Sequence, residues 1–292
     1  MANMRVIRSR IRGVRSTQQI TKAMKMVAAA RLRRAQEKAA STRPFADKIE
    51  RLLLTAVSDK SALQDLSEKE FPLLADRPVM KIGFIVIAAD KGLAGSYNSN
   101  LLKHAAAEIA ETENYYLITV GRKAKEFFQH RGYDVAKDIF GLSDKPNFEY
   151  AEQIAKAAVD AFKSGEVDEV KLISTRFKSA LSYTPETLNL LPVLPPAGEG
   201  KGGEAGDVLF EPSAKALLAQ LLPYYVNTRI YAALMQSAAS ELGARMTAMS
   251  SATDNASELL RSLELSYNKA RQAGITREIN EIVGGAEALQ QS

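Results

Sequence analysis

Apolar residues recur along the last third of the chain with alternating steps of four and three. The positions are Met235, Ala239, Leu242, Met246, Met249, Thr253, Ala256, Leu260, Leu263, Tyr267, Ala270 and Gly274, and all but Thr253 and Gly274 are apolar. A repeat of this kind marks one stripe of a long helix that packs against another helix. After Gly274 the register slips by one and resumes at Ile275, Ile279, Ile282, Ala286 and Leu289. Such a slip locally changes the supercoil. Pairs such as Glu241 with Arg245 and Glu258 with Arg261 are expected on the exposed side. Pro223 lacks an N–H and is expected to kink or start the helix. From Tyr224 to Ala288 the helix would span about 100 Å. Ser213 is a candidate cap for a short helix before it.

The N-terminus carries a second pattern of this type. Ile7, Ile11 and Val14 form one stripe, and Ile20, Met24 and Val27 the next, followed by Ala28, Leu32, Ala35 and Ala39. The helix should run from Met4 to Val57, roughly 80 Å at the helical rise, with a kink at Pro44. Ala23 and Ala28 to Ala30 would let a partner helix approach closely. Long helices at both ends predict an antiparallel pair. A compact domain cannot cover helices of that length, so the seam needs its partner helix or another protein around it.

The middle alternates differently. Ile82 to Ala88 is a buried-strand run, and the turn-rich stretch Asp90 to Asn98 precedes a helix ending near Ala110. Tyr115 to Val120, Asp134 to Phe140 and Glu169 to Thr175 read as strands, Lys123 to His130 and Phe148 to Lys163 as helices, and Ala180 to Leu191 as a last extended piece. Strands alternating with helices predict a Rossmann-like open α/β sheet. The expected fold class is therefore α/β plus a long antiparallel two-helix coiled coil. The expected divisions are an N-terminal coil helix over 1–58, the α/β domain over 75–195, a flexible Gly/Pro-rich loop over 196–212 and a C-terminal coil helix over 213–292.

Charge sharpens the picture. The net charge is +5, but the first 36 residues contribute +10 with no acidic residue, leaving −5 for the rest. A basic end implies an acidic partner: nucleic acid, anionic lipid or an acidic protein surface. An Arg-rich, acid-free start also fits a transit peptide, but it runs without a break into the helical pattern and reads as structure. No apolar run approaches the roughly 18 residues a membrane span needs. There is no cysteine, which removes disulfides, thiolate metal sites and cysteine nucleophiles and fits a reducing compartment.

Candidate chemistry is sparse. Gly92-Leu93-Ala94-Gly95 follows a strand and precedes a helix, where α/β domains hold phosphate. It is neither a dinucleotide fingerprint nor a P-loop, so a tight structural turn is the preferred reading. Asp90 and Asp144 read as solvated loop residues, and His104 and His130 as structural histidines. No nucleophile–base constellation is present in the pattern. Met24, Met26, Met235, Met246 and Met249 suit coil packing and, equally, a smooth surface that slides against several partners.

Three ordered stretches resemble the gamma subunit of bacterial F-type ATP synthases. They are Arg8-Ser9-Arg10-Ile11 with Thr17 to Ala28, the loop Asp90 to Asn98, and a third stretch running from Ala244 through Tyr267 to Ala286. The resemblance implies a rotor shaft inside a ring of alpha and beta subunits, bound below to the epsilon subunit and the membrane c-ring. It implies no catalytic chemistry, cofactor or metal, and a peripheral place on the cytoplasmic face of the plasma membrane. By the resemblance, Met24, Lys25, Arg33 and Arg34 match a collar passing an acidic loop of beta. Arg245, Arg271, Gln272, Thr276 and Glu278 match positions that meet the head, and Glu211 matches the foot. Many relatives carry cysteine at the place of Ala94, and chloroplast relatives an inserted cysteine pair; this chain has neither, so thiol control of that kind is excluded. No role is assigned to Gly198 to Gly206. Two rival classes remain: a basic coiled-coil nucleic-acid binder, disfavoured by few aromatics among its basic residues, and an α/β nucleotide enzyme with a helical arm.

Overall fold

A computed structural model describes residues 4–58, 70–141, 146–193 and 214–290. Helix α1 spans Met4–Ser58; β1 is Ile82–Ile87, α2 Tyr97–Ala110, β2 Tyr115–Val120, α3 Arg122–Gln129, β3 Lys137–Ile139, α4 Phe148–Lys163, β4 Glu169–Ser179, β5 Ser182–Leu191 and α5 Ala214–Gln290. The chain forms two compact units, Met1–Ala28 with Met246–Ser292, and Ala29–Arg245. Each long helix has a part in both.

The first unit is an antiparallel helix pair. Arg8 reaches Tyr267, Gln18 reaches Ser257, Thr21 reaches Thr253 and Lys25 reaches Ser250, so numbering rises on α1 as it falls on α5. On α5 the expected stripe holds: Met249, Ala256 and Leu260 are buried, and Leu263, Tyr267, Ala270 and Gly274 half-buried. On α1 the stripe differs from expectation. Ile20 is 56% exposed and Val27 53% exposed, whereas Thr21 is 8% exposed and Gln18 half-buried. The four–three stepping runs from Ile7, Ile11 and Val14 to Gln18 and Thr21, is interrupted where Met24 is half-buried and Lys25 exposed, and resumes at Ala28 and Leu32. Register continuity outweighs local hydropathy here, because the polar side chains find partners across the seam.

The second unit is built on one sheet of order β3-β2-β1-β4-β5. The first four strands are parallel and β5 pairs antiparallel with β4. The central strands are apolar on both faces, as a parallel sheet covered on two sides requires. Phe84 and Val86 pack with Leu101, Leu102, Ala105 and Ile109 of α2 and with Phe128 of α3. Ile85 and Ile87 belong to the opposite layer with Ile154 and Phe162 of α4, Leu53 of α1, and Leu218, Leu222, Val226 and Ile230 of α5. The spacing of four along α5 presents one unbroken apolar stripe to the sheet. That burial carries the helix through Pro223, which is exposed on the far side; α5 starts at Ala214, earlier than the expected Tyr224. Likewise α1 continues through Pro44. Met235, Ala239 and Leu242, the first members of the four–three stripe, lie in this unit, and Met235 is part of its core.

Candidate functional site

Two places gather the residues singled out by sequence: the surface of the helix pair and the loop between β1 and α2. On the helix pair, polar rungs cross the seam. Arg8 Nη2 donates to the Tyr267 hydroxyl at 2.5 Å, with its guanidinium carbon 5.4 Å from the ring centre. Arg15 Nη2 stands 3.0 Å from Glu264 Oε1, Gln18 Nε2 donates to Ser257 Oγ at 2.7 Å, and Lys25 Nζ to Ser250 Oγ at 2.9 Å. The Thr21 and Thr253 hydroxyl oxygens lie 2.8 Å apart. Arg8, Arg15 and Lys25, three of the ten N-terminal cations, thus already bind α5. Exposed pairs of this kind contribute little energy, so they serve register more than stability. A shallow groove beside the rungs is lined by Gln18, Gln19, Lys22, Lys25, Met26, Thr253 and Ser257.

Met24 is half-buried on the seam side of α1, next to Lys25. Arg33 and Arg34 are exposed in the other unit, and Arg33 pairs with Glu37 one turn on at 3.1 Å. Arg271, Gln272, Thr276 and Glu278 are all exposed on α5, with Thr276 Oγ1 donating back to the Gln272 carbonyl at 3.0 Å. Glu211 lies outside the described residues, as do Asp144, Ser213 and the loop from Gly198 to Gly206.

The β1–α2 loop sits at the C-terminal edge of the parallel strands, the usual ligand crevice of such sheets. Here that crevice is filled by the protein itself. Ala89, Ala94 and Tyr97 pack against Ala244 of α5 and Tyr183 of β5. The Tyr97 hydroxyl donates to the Ser237 carbonyl at 3.2 Å, and Ser237 Oγ accepts from the Thr175 N–H at 3.3 Å. Leu93 and Gly95 adopt positive φ values of 63° and 57°, which folds the loop tightly and leaves Leu93 exposed. Asn98 holds the turn by accepting from the Ala89 N–H at 3.1 Å.

Arg245 closes the arrangement. Its Nη2 donates to the Gly92 carbonyl at 3.1 Å and to Glu241 Oε1 at 2.6 Å. The Glu241 side chain is 5% exposed and that of Arg245 14% exposed. Glu241 is therefore a buried charge, not the exposed helix-pair member expected. Asp90 also departs from expectation: it is buried, and its Oδ1 accepts from the Arg122 N–H at 3.0 Å. Its carboxylate is taken in because the first turn of α3 offers free N–H groups. Neither burial has a signal in the sequence, since an i, i+4 Glu–Arg pair and a loop Asp are both ordinary surface features. His104 is half-buried, with Nε2 3.0 Å from Thr187 Oγ1, and His130 Nδ1 donates to the Glu126 carbonyl at 2.6 Å.

Comparison with known proteins decides the family. The profile described as ATP synthase matches residues 3–289. The chain is 47% identical to the ATP synthase gamma chain of Desulforamulus reducens over 99% of its own length and 100% of that chain. It belongs to the ATP synthase gamma-chain family. The gamma chain of Brevibacillus brevis is 45% identical over 97% of this chain and 98% of its own. Among solved structures, the central stalk/c-ring structure of Tetrahymena thermophila mitochondrial ATP synthase includes a similar chain with a TM-score of 0.62 and 26% identity, covering 80% of this chain and 99% of that one. A chain in the Euglena gracilis mitochondrial ATP synthase OSCP/F1/c-ring structure shares the fold, with a TM-score of 0.67 at 20% identity over 98% of this chain and 94% of that one. The gamma-chain fold thus accounts for both units: a sheet domain and an antiparallel pair of terminal helices. Among the described residues no helix is long and apolar enough to cross a membrane.

Proposed function

We propose that this gamma-family chain is the central rotor stalk of a bacterial proton-translocating ATP synthase and performs no chemistry itself. In this reading it stands within the ring of alpha and beta subunits, with epsilon and the c-ring at its foot, and meets the cytoplasmic face of the plasma membrane only through those partners. The observation that carries the reading is the full-length gamma-chain kinship joined to an antiparallel helix pair held in a single register. A helix pair keyed in this way resists sliding, as a torque-bearing shaft must. Because α1 and α5 present different residues around the axis, a turn offers a different face to each catalytic subunit. Each face favours a different open or closed state, and rotation shifts nucleotide affinity by population shift.

Met24, Lys25, Arg33 and Arg34 are proposed to face an acidic loop of beta, and Arg245, Arg271, Gln272, Thr276 and Glu278 to meet the head. Glu211 is proposed to belong to the foot. Exposed ion pairs at such contacts are each worth about 0.2–1 kcal/mol, so packing should carry most of the force. The functional division proposed is a coil helix over 1–58, an α/β domain over 75–195, a loop over 196–212 and a coil helix over 213–292. The deciding experiment is co-purification from the source membrane. One copy of this chain should appear with three copies each of alpha and beta in an ATP-hydrolysing particle; a particle active and complete without it would overturn the reading.

A further inference from the structure

A shaft transmits torque only if it cannot twist freely in its own base, so the joint between α5 and the sheet domain matters. Three observations converge on that joint within the second unit. First, Arg245 Nη2 ties helix α5 to the Gly92 carbonyl at 3.1 Å. Second, the partner that aims Arg245 is Glu241, whose carboxylate is 5% exposed and has its Oε1 2.6 Å from the same nitrogen. Third, two further hydrogen bonds grip the same helix two turns earlier. Tyr97 donates to the Ser237 carbonyl and Ser237 Oγ accepts from the β4 backbone. The loop so gripped is not slack: Asn98 accepts from Ala89, Asp90 accepts from Arg122, and Ala94 is buried against Ala244.

We propose that Glu241, by aiming Arg245 at the Gly92 carbonyl, acts as a torsional lock that keys α5 to the β1–α2 loop under load. The inference rests on the central-stalk reading and adds to it a positioning residue that touches no partner. Apolar packing alone lets a helix roll by small rotamer changes, because dispersion contacts are not directional. A guanidinium nitrogen held by a buried carboxylate on its own helix and donating to the loop carbonyl makes a directional tie that favours one azimuth. Glu241 is the element to test, because its burial keeps it from contacting any other subunit, whereas Arg245 is proposed to meet the head.

The test uses Glu241→Ala and Glu241→Gln in the full chain. In the free chain, hydrogen exchange of the Ala89 and Tyr97 amides, whose N–H groups bond to Asn98 and Ala94, should accelerate by about tenfold for Glu241→Ala. Glu241→Gln keeps an acceptor oxygen and should fall between; it carries the same reading if the alanine variant does not fold. In the assembled, membrane-reconstituted complex, unloaded ATP hydrolysis should stay near wild type. The proton gradient reached at saturating ATP should drop at least about twofold, with partial rescue by glutamine. A merely structural loss would lower both activities together and overturn the proposal. Unchanged exchange would overturn the lock while leaving the stalk reading intact, and faster exchange with an unchanged gradient would overturn its role under load. Failure of the wild-type chain to assemble with alpha and beta would instead overturn the stalk reading.

Discussion

The carboxylate of Asp90 accepts a hydrogen bond from the backbone N–H of Arg122, the first residue of α3, at 3.0 Å. A residue of the β1–α2 loop thereby satisfies the free end of a helix 32 positions later. Asp90→Ala would leave that N–H without its anion and the site half-packed. It should destabilise the chain by about 1–3 kcal/mol, and Asp90→Asn by clearly less. Urea midpoints of the two variants check this; equal midpoints for alanine and wild type would contradict it.

Gly121, just before Arg122, has φ +93°, and a Cβ there would stand 2.2 Å from the Ala88 carbonyl oxygen. Both the backbone conformation and the space demand glycine. Gly121→Ala must shift the end of β1 and should cost at least about 3 kcal/mol. Gly132, at φ +76° with nothing within 4 Å of a built Cβ, provides the control. Gly132→Ala pays only the backbone term, about 1–2 kcal/mol. Thermal unfolding of the pair, scored by circular dichroism, should separate them plainly.

The Thr21–Thr253 rung gives a third prediction. Each hydroxyl also reaches a carbonyl one turn back on its own helix, Gln18 at 3.0 Å and Met249 at 2.7 Å. Each hydroxyl has one proton, so at most one can donate across the seam; replacing either threonine by valine leaves the other on its own helix's carbonyl and should cost no more than about 1 kcal/mol. A double-mutant cycle measures the coupling. Strict additivity of the two single costs would show that the rung contributes nothing.

Tyr97 sets an alkaline limit. Burial, followed by the nearby Glu241 carboxylate, pushes its hydroxyl above the ordinary value of 10.0. The folded chain therefore holds this proton more tightly than the unfolded chain does. Stability from this group is fully present below the unfolded value and declines as pH rises above 10.0 toward the folded one. Tyr97→Phe loses a hydrogen bond worth about 1 kcal/mol at neutral pH, but should lose less stability than wild type on going to high pH. Denaturation midpoints followed across that range test the crossing; parallel pH profiles for the two chains would refute it.

Much of the architecture was legible in the sequence because period carries geometry. The four–three stripe of α5 and the parallel-sheet run of β1 both reflect burial that apolar residues alone satisfy. What escaped was burial achieved by polar pairing. Gln18 and Thr21 fill the α1 seam while apolar Ile20 and Val27 face outward, since hydropathy cannot show that Ser257 and Thr253 stand opposite. Glu241 and Asp90 look like surface residues in the sequence for the same reason: their partners, the Gly92 carbonyl through Arg245 and the Arg122 N–H, are backbone groups without a sequence signature. Pro223 misled in the opposite direction, its local penalty outweighed by the Leu218, Leu222, Val226 and Ile230 stripe. The residues carried over by resemblance are the least visible physically, because Arg271, Gln272, Thr276 and Glu278 are exposed and their worth depends on a neighbour.

The antiparallel register brings Met4 beside Gly274, where a built Cβ would lie 3.8 Å from the methionine methyl. Helix α5 runs on to Gln290, with Ile275, Ile279, Ile282 and Val283 between 44% and 71% exposed. Among the described residues no companion strand of chain covers that tip. Cutting the chain after Ile279 should leave its melting temperature nearly unchanged while making the purified protein less prone to cluster in solution. The greasy end is a liability for a chain stored alone, and its manufacture in a cell is best matched to the supply of whatever sheathes it.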